Sequence, residues 1–232
     1  MTMRVSLNEI QVMCRKAFEG MGFAPGDCED AADMVGWLQL QGLDGLGALA
    51  KALDYLQREA HQPFALNVED SALLVIDAKG QSVLRCAATA VELAVAKAQA
   101  SGQAVLRIQH CHNRLLLLGY LCRAAELGLG VQARWSDARQ VHIASFVAGS
   151  NRPQLQLQAQ PGAVAPEQSI TVTFSRPAAP AVPQIGEQAS LGQGFSVNPQ
   201  TWQRLKQLAE QVLVQSSEAS RRHGADGGSD AD

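Results

Sequence analysis

The sequence has no basic run longer than a pair such as Arg221 and Arg222, and its 19 Lys and Arg residues are outnumbered by 22 Asp and Glu, for a formal net charge of -3. That leaves no electrostatic footprint for a polyanion, so nucleic acid is not expected as a partner. No run is long and apolar enough for a membrane span, and the start, MTMRVSLNEI, lacks the apolar core and cleavage site of a leader. A cytoplasmic protein with no membrane partner is expected. There is no C-x-x-C pair. The five cysteines, Cys14, Cys28, Cys86, Cys111 and Cys122, are odd in number and irregular in spacing, which fits small buried side chains in a reducing compartment and not a disulfide frame. The glycines of GLDGLG form no nucleotide fingerprint, because no strand precedes them and the G-x-G-x-x-G spacing is missing.

What is present reads first as helices. SLNE is a capping box, with Ser6 accepting from the backbone at Glu9 and the Glu9 carboxylate reaching back. Leu7, Ile10, Met13, Cys14, Ala17, Phe18 and Met21 then hold one apolar face, ended by Gly20 and Gly22. A second helix restarts with Asp27 as its cap and buries Ala31, Met34, Val35 and Leu38. A third carries Leu46, Leu49, Ala50, Leu53 and Leu56. Residues 1–60 thus form a helical layer.

Residues 70–176 change character. A buried strand over 72–77, an alanine-rich helix over 82–100 closed by Gly102, a strand at QAVLRIQ, 103–109, a helix ending at Gly128 and a strand to Trp135 alternate, which predicts crossovers and partly parallel pairing. PQLQLQAQ and SITVTFS alternate strictly and suit antiparallel strands with one face to the core and one to water. Residues 177–198 are proline-rich and read as a loop, and 199–220 as a last helix with Trp202, Leu205, Leu208, Ala209, Val212 and Leu213 on one stripe. Residues 1–220 make one α+β domain: a helical layer, a mixed sheet covered by helices, and a returning helix. The tail, residues 221–232, has nothing to bury and is expected to be disordered.

Two resemblances follow from these segments. Residues 3–56 and the stretch from Ala72 through Val131, with a faint echo in GSNRP at 149–153, resemble the malate/L-lactate dehydrogenase family of NAD(P)H-dependent 2-oxoacid reductases, which is not of the Rossmann type. The whole chain resembles a short bacterial family described only as a domain of unknown function. The first resemblance implies a proton donor beside the substrate keto oxygen, since hydride transfer leaves a developing alkoxide. The family's R-G-H-D-S-H-G loop falls on QGLDGLG, where Leu43 and Leu46 replace both histidines and Asp44 remains. Its S-N-H-F-G motif falls on Cys111 to Leu115, with Asn113 at the histidine position. Much of the segment that builds the family's cofactor site has no counterpart. The resemblance therefore implies a degenerate relative, a homodimer with no cofactor, keeping a pocket for a carboxylate-bearing metabolite or a protein partner.

Pocket candidates are Asp44, His110, His112, Asn113 and Arg114. If 103–112 is all strand, His110 and His112 share a face. A catalytic zinc wants three protein ligands, and no spacing nominates His142, His61, Asp44 or Cys122 as the third, so no metal is expected. Asp44 can be a plain N-cap, and Arg114 either a carboxylate fork or a partner for a nearby acid. Leu115 to Leu118, Trp37 and Trp135 read as core, the tryptophans alternatively as dimer contacts. Two other functions remain: an NAD(P)H-dependent 2-oxoacid or 2-hydroxyacid oxidoreductase whose catalytic donor has moved to His110 or His112, and a structural subunit of a complex.

Overall fold

The computed structural model describes residues 3–159, 168–177 and 194–223, with side chains in the last helix as far as residue 212. The capping box forms as expected: the Glu9 carboxylate accepts from the Ser6 N–H at 2.7 Å and the Ser6 hydroxyl accepts from the Glu9 N–H at 3.2 Å, opening α1 (Leu7–Gly20). Ile10, Cys14, Ala17 and Phe18 are its buried stripe. The next helix, α2 (Pro25–Leu40), starts earlier than expected. Ala24 is its N-cap and Pro25 follows, so Asp27 lies inside the first turn. Proline suits that first position because its fixed φ is helical and its missing N–H would have had no partner. Helix α2 buries Cys28, Ala31, Ala32, Met34, Val35 and Leu38, and packs against α1, α3 (Gly45–Leu56) and α5 (Leu118–Glu126). In α3 it is Ala52, not Ala50, that joins Leu49, Leu53 and Leu56 in the core.

The second half is built on a seven-stranded sheet in the order β2 (Ala65–Glu69), β3 (Leu73–Asp77), β4 (Gln103–Gln109), β8 (Ile170–Ser175), β5 (Gly130–Ser136), β6 (Gln140–Phe146), β7 (Gln154–Ala159). Only β3 and β4 pair in parallel, joined by a crossover through α4 (Ala87–Ser101), which stops at left-handed Gly102. A second crossover, through α5, carries the chain from β4 to β5 in the same direction, but the two strands do not pair with each other, because β8 inserts between them and runs antiparallel to both. Strand β8 alternates buried and half-buried or exposed residues as its sequence implies. Strand β7 forms where QLQLQAQ alternates, but all six of its residues are exposed, since it lies at the sheet edge. A two-stranded pair, β1 (Met3–Val5) with β9 (Phe195–Val197), ties the start of the chain to the start of α6 (Pro199–His223). Helix α6 lays Trp202, Leu205, Leu208 and Ala209 into the core and packs on α1.

One apolar cluster runs from Val5 to Leu208 and joins the layers. Most of the proline-rich loop and residues 224–232 of the tail lie outside the described residues; residues 221–223 belong to α6. No helix among the described residues is long and apolar enough to cross a membrane. All five cysteines are buried and unpaired, and burial pushes the thiols of Cys14, Cys111 and Cys122 up to about 12 and that of Cys28 to about 11.

Two outcomes follow. A Cβ on Gly119 would stand 2.6 Å from the Met34 carbonyl, so Gly119→Ala must push α5 off α2. It should cost about 1–3 kcal/mol, read as a lowered denaturant midpoint. With no thiolate available near neutrality, the native protein should leave a disulfide reagent unreacted at pH 8, and all five thiols should titrate once it is unfolded.

Candidate functional site

The turn between α2 and α3 explains its own glycines. Asp44 is left-handed (φ 48) and its Oδ1 accepts from the Gly47 N–H at 3.0 Å, capping α3. A side chain on Gly47 would collide with that carboxylate, and one on Gly45 would stand 2.2 Å from the Val35 carbonyl. Leu46 is buried and its N–H donates to Gln39 Oε1 at 3.1 Å; Leu43 packs against the core. The plain N-cap reading of Asp44 is thus the observed one. Asp44 keeps its hydrogen bond among the described residues within its own turn. By the helical rise it stands about 16 Å along α3 from Tyr55, whose ring is the one His112 meets.

The histidine loop departs from expectation in a second way. Strand β4 ends at Gln109 because His110 is left-handed (φ 47), so the alternation that would place His110 and His112 on one face is broken. His110 Nδ1 lies 2.9 Å from Asp77 Oδ1 at the end of the neighbouring strand, with 66% of its side chain exposed. His112 stacks on Tyr55 with ring centroids 5.4 Å apart, and burial, reinforced by the Arg114 charge, pushes its pKa down. Asn113 is also left-handed (φ 57) and opens the 3-10 turn Arg114–Leu117; its buried Oδ1 has no hydrogen-bond partner among the described residues. Leu116, Leu117 and Leu118 are core, as expected.

A second polar centre had no sequence signal. Glu59 and Arg85 form an ion pair at 3.3 Å with both side chains almost fully buried, and Glu59 Oε1 also accepts from the Ser82 N–H at 2.9 Å. Burial raises the Glu59 pKa; Arg85 and the Ser82 N–H pull against it. The guanidinium lies 3.8 Å over the Phe23 ring, with its Nη1 3.4 Å from His61 Nδ1. His142 is 2.8 Å from Asp137 and stacks flat on Trp135. His142, His110 and His112 each have a separate partner, Cys122 Sγ donates to the Gly119 carbonyl, and no group of three metal-ligating side chains occurs among the described residues. Trp37 is partly buried against the core with its ring tilted against that of Phe146, and Trp135 is buried.

Residues that sequence reasoning missed are Asp77, Tyr55, Glu59 and Arg85. Asp77 carried one signal: it ends an apolar run just before the turn AKGQ. The other three meet their partners only through tertiary structure, Glu59 and Arg85 being 26 residues apart.

Residues 5–99 match the model of the family described as "Protein of unknown function (DUF3726)". No curated protein sequence matches the chain. Solved structures are similar in fold over nearly its whole length. A dehydrogenase from Sinorhizobium meliloti superposes with a TM-score of 0.65 at 14% identity, covering 90% of this chain and 100% of its own. The malate dehydrogenase of Pyrococcus horikoshii OT3 gives 0.65 at 11% identity, over 91% and 96% of the two chains. The sulfolactate dehydrogenase of Methanocaldococcus jannaschii gives 0.64 at 12%, over 90% and 97%. The chain therefore has the malate/lactate dehydrogenase-like α+β fold, and the likeness extends well past the first two thirds of the sequence.

The Asp77 carboxyl is held below its usual range, first by the Lys79 N–H and then by His110. A depressed folded pKa stabilises above the unfolded value of about 3.9 and loses that contribution as pH falls through the folded pKa. Asp77→Asn should therefore lower the urea midpoint at pH 7, and the gap to the parent should close progressively below about pH 4.

Proposed function

We propose that this chain is a non-catalytic relative of the 2-oxoacid reductases that binds a small carboxylate-bearing metabolite at His112, Asn113 and Arg114, as a cytoplasmic homodimer without a nicotinamide cofactor. The observation that carries the reading is the α2–α3 turn. Where a reductase would need a proton donor, the turn offers half-buried Leu43, buried Leu46 and an Asp44 whose carboxylate is fixed on the Gly47 N–H. Leucine transfers no proton.

The histidines are poor substitutes. Reduction needs the donor protonated, and the burial and charge around His112 favour its neutral form. His110 is oriented by Asp77, which favours the alternative of a relocated donor, but most of its side chain faces solvent, where hydride chemistry has no shelter from water. Binding asks less of the loop. The unpartnered Asn113 Oδ1 suits a hydroxyl donor, and Arg114 beside His112 supplies positive charge for a carboxylate, the two groups that a 2-hydroxy acid carries together. Malate and sulfolactate, named in the similar structures, are of this class.

The test is a thermal-shift panel of 2-hydroxy and 2-oxo acids on the pure protein. A ligand at one hundred times its dissociation constant should add about 2.7 kcal/mol, or roughly 5–11 °C for a chain of this length. Arg114→Ala and Asn113→Leu should each abolish the shift. A panel without effect, or a shift that survives both substitutions, would refute the reading.

A further inference from the structure

A cavity of about 320 Å³ lies against the turn at residues 82–85, walled by the first turn of α2, the segment 61–64 and the first turn of α4. We propose that it binds an apolar α-amino acid as its zwitterion, with the carboxylate at Arg85 and His61, the ammonium at Asp27, and the side chain against Pro63 and Phe64.

The wall is built before any ligand arrives. Gln81, itself buried, donates from Nε2 to the Gln62 carbonyl at 2.8 Å and accepts the Gln62 N–H at 3.3 Å, clamping the 61–64 segment over the opening. Arg85 is fixed on one face by Phe23 and along its Nε edge by Glu59. Its Nη2 donates to the Met21 carbonyl at 3.4 Å, and its Nη1 lies at the same distance from His61 Nδ1. A guanidinium carries five N–H donors, so these contacts leave capacity on the Nη edge. Asp27 lines the same cavity as His61 and Arg85; burial and then Asp30 raise its carboxyl pKa, and His61 and Arg85 pull against them.

Charge decides the ligand class. With Glu59 already on the Nε edge of Arg85, a simple anion at Arg85 and His61 would meet two carboxylates, Glu59 and Asp27, and a simple amine at Asp27 would meet the guanidinium. A zwitterion answers both ends, while Phe64, Pro63 and Cys86 offer apolar surface to a side chain. Size limits it further: the volume is at the low end of the roughly 300–1,000 Å³ of ligand pockets, enough for one amino acid and too little for a dinucleotide.

Calorimetric titration of the full chain with L-leucine, L-methionine and L-phenylalanine tests this. Two analogues of leucine serve as probes of each charge: 4-methyl-2-oxopentanoate lacks the ammonium and isopentylamine lacks the carboxylate. At least one amino acid should bind, and each analogue should be weaker than leucine by about tenfold or more. Asp27→Asn and His61→Ala, at half-buried and exposed positions, should weaken binding about tenfold without unfolding the chain. Arg114→Ala should leave it unchanged, which separates this cavity from the histidine loop. Failure of all three amino acids to bind, an analogue as tight as leucine, or loss in Arg114→Ala with retention in the other two variants would each overturn the proposal.

Discussion

Main-chain pairing that continues past the ends of β3 and β4 is the constraint on which the polar half of this molecule depends. Beyond Asp77 and Gln109 the two segments stay bonded: the Ala78 N–H donates to the Gln109 carbonyl, Gly80 to His110 at 2.7 Å, His112 to Gln81 at 3.1 Å and Val83 to His112 at 3.0 Å. The seam forces Lys79, His110 and Asn113 into left-handed conformations, alongside Gly80. Each non-glycine residue held there costs on the order of 1–2 kcal/mol. A hydrogen bond returns about 0.5–1.5 kcal/mol net, so the seam offsets the strain only while all its bonds are made together. Carboxyl ends of parallel strands are where open sheets bind ligands, and this is the one parallel pair in the sheet.

The seam orients two different chemistries. Along the β4 exit it presents His110 to Asp77, His112 to Tyr55 and the orphaned Asn113 oxygen. Along the β3 exit it presents Ser82 to Glu59 and leads into Arg85. Helix α2 connects them from behind, with Asp27 in the first turn and the leucine-lined turn at its far end, about 24 Å away by helical rise. Since α2 is buried on several sides and meets α5 at Gly119 with no room for a methyl, neither end can shift without disturbing the core.

Features set by neighbours in sequence were legible. The Ser6–Glu9 box, the stops at Gly102 and Gly128, the apolar stripe of α6 and the capping role open to Asp44 each need only a few adjacent residues. Features set across the fold were not. ALNVE and QVHIASF lack strict alternation, so β2 and β6 were hidden; QLQLQAQ showed a strand but not that it would lie at an edge with both faces exposed. The shared face of His110 and His112 was lost to one left-handed residue. That conformation is supported by Asp77 and Gly80, thirty-three and thirty residues away.

The chain thus keeps the malate/lactate dehydrogenase-like scaffold, while its α2–α3 turn is occupied by leucines and a capping aspartate. We propose that neither this turn nor the histidine loop after β4 supplies a proton donor for 2-oxoacid reduction. Single-turnover mixing of stoichiometric protein with NADPH or NADH and a 2-oxoacid panel, followed at the nicotinamide absorbance, addresses it directly. No cofactor oxidation above the protein-free rate is the predicted result; a burst of oxidation that disappears in His110→Ala or His112→Ala would contradict it.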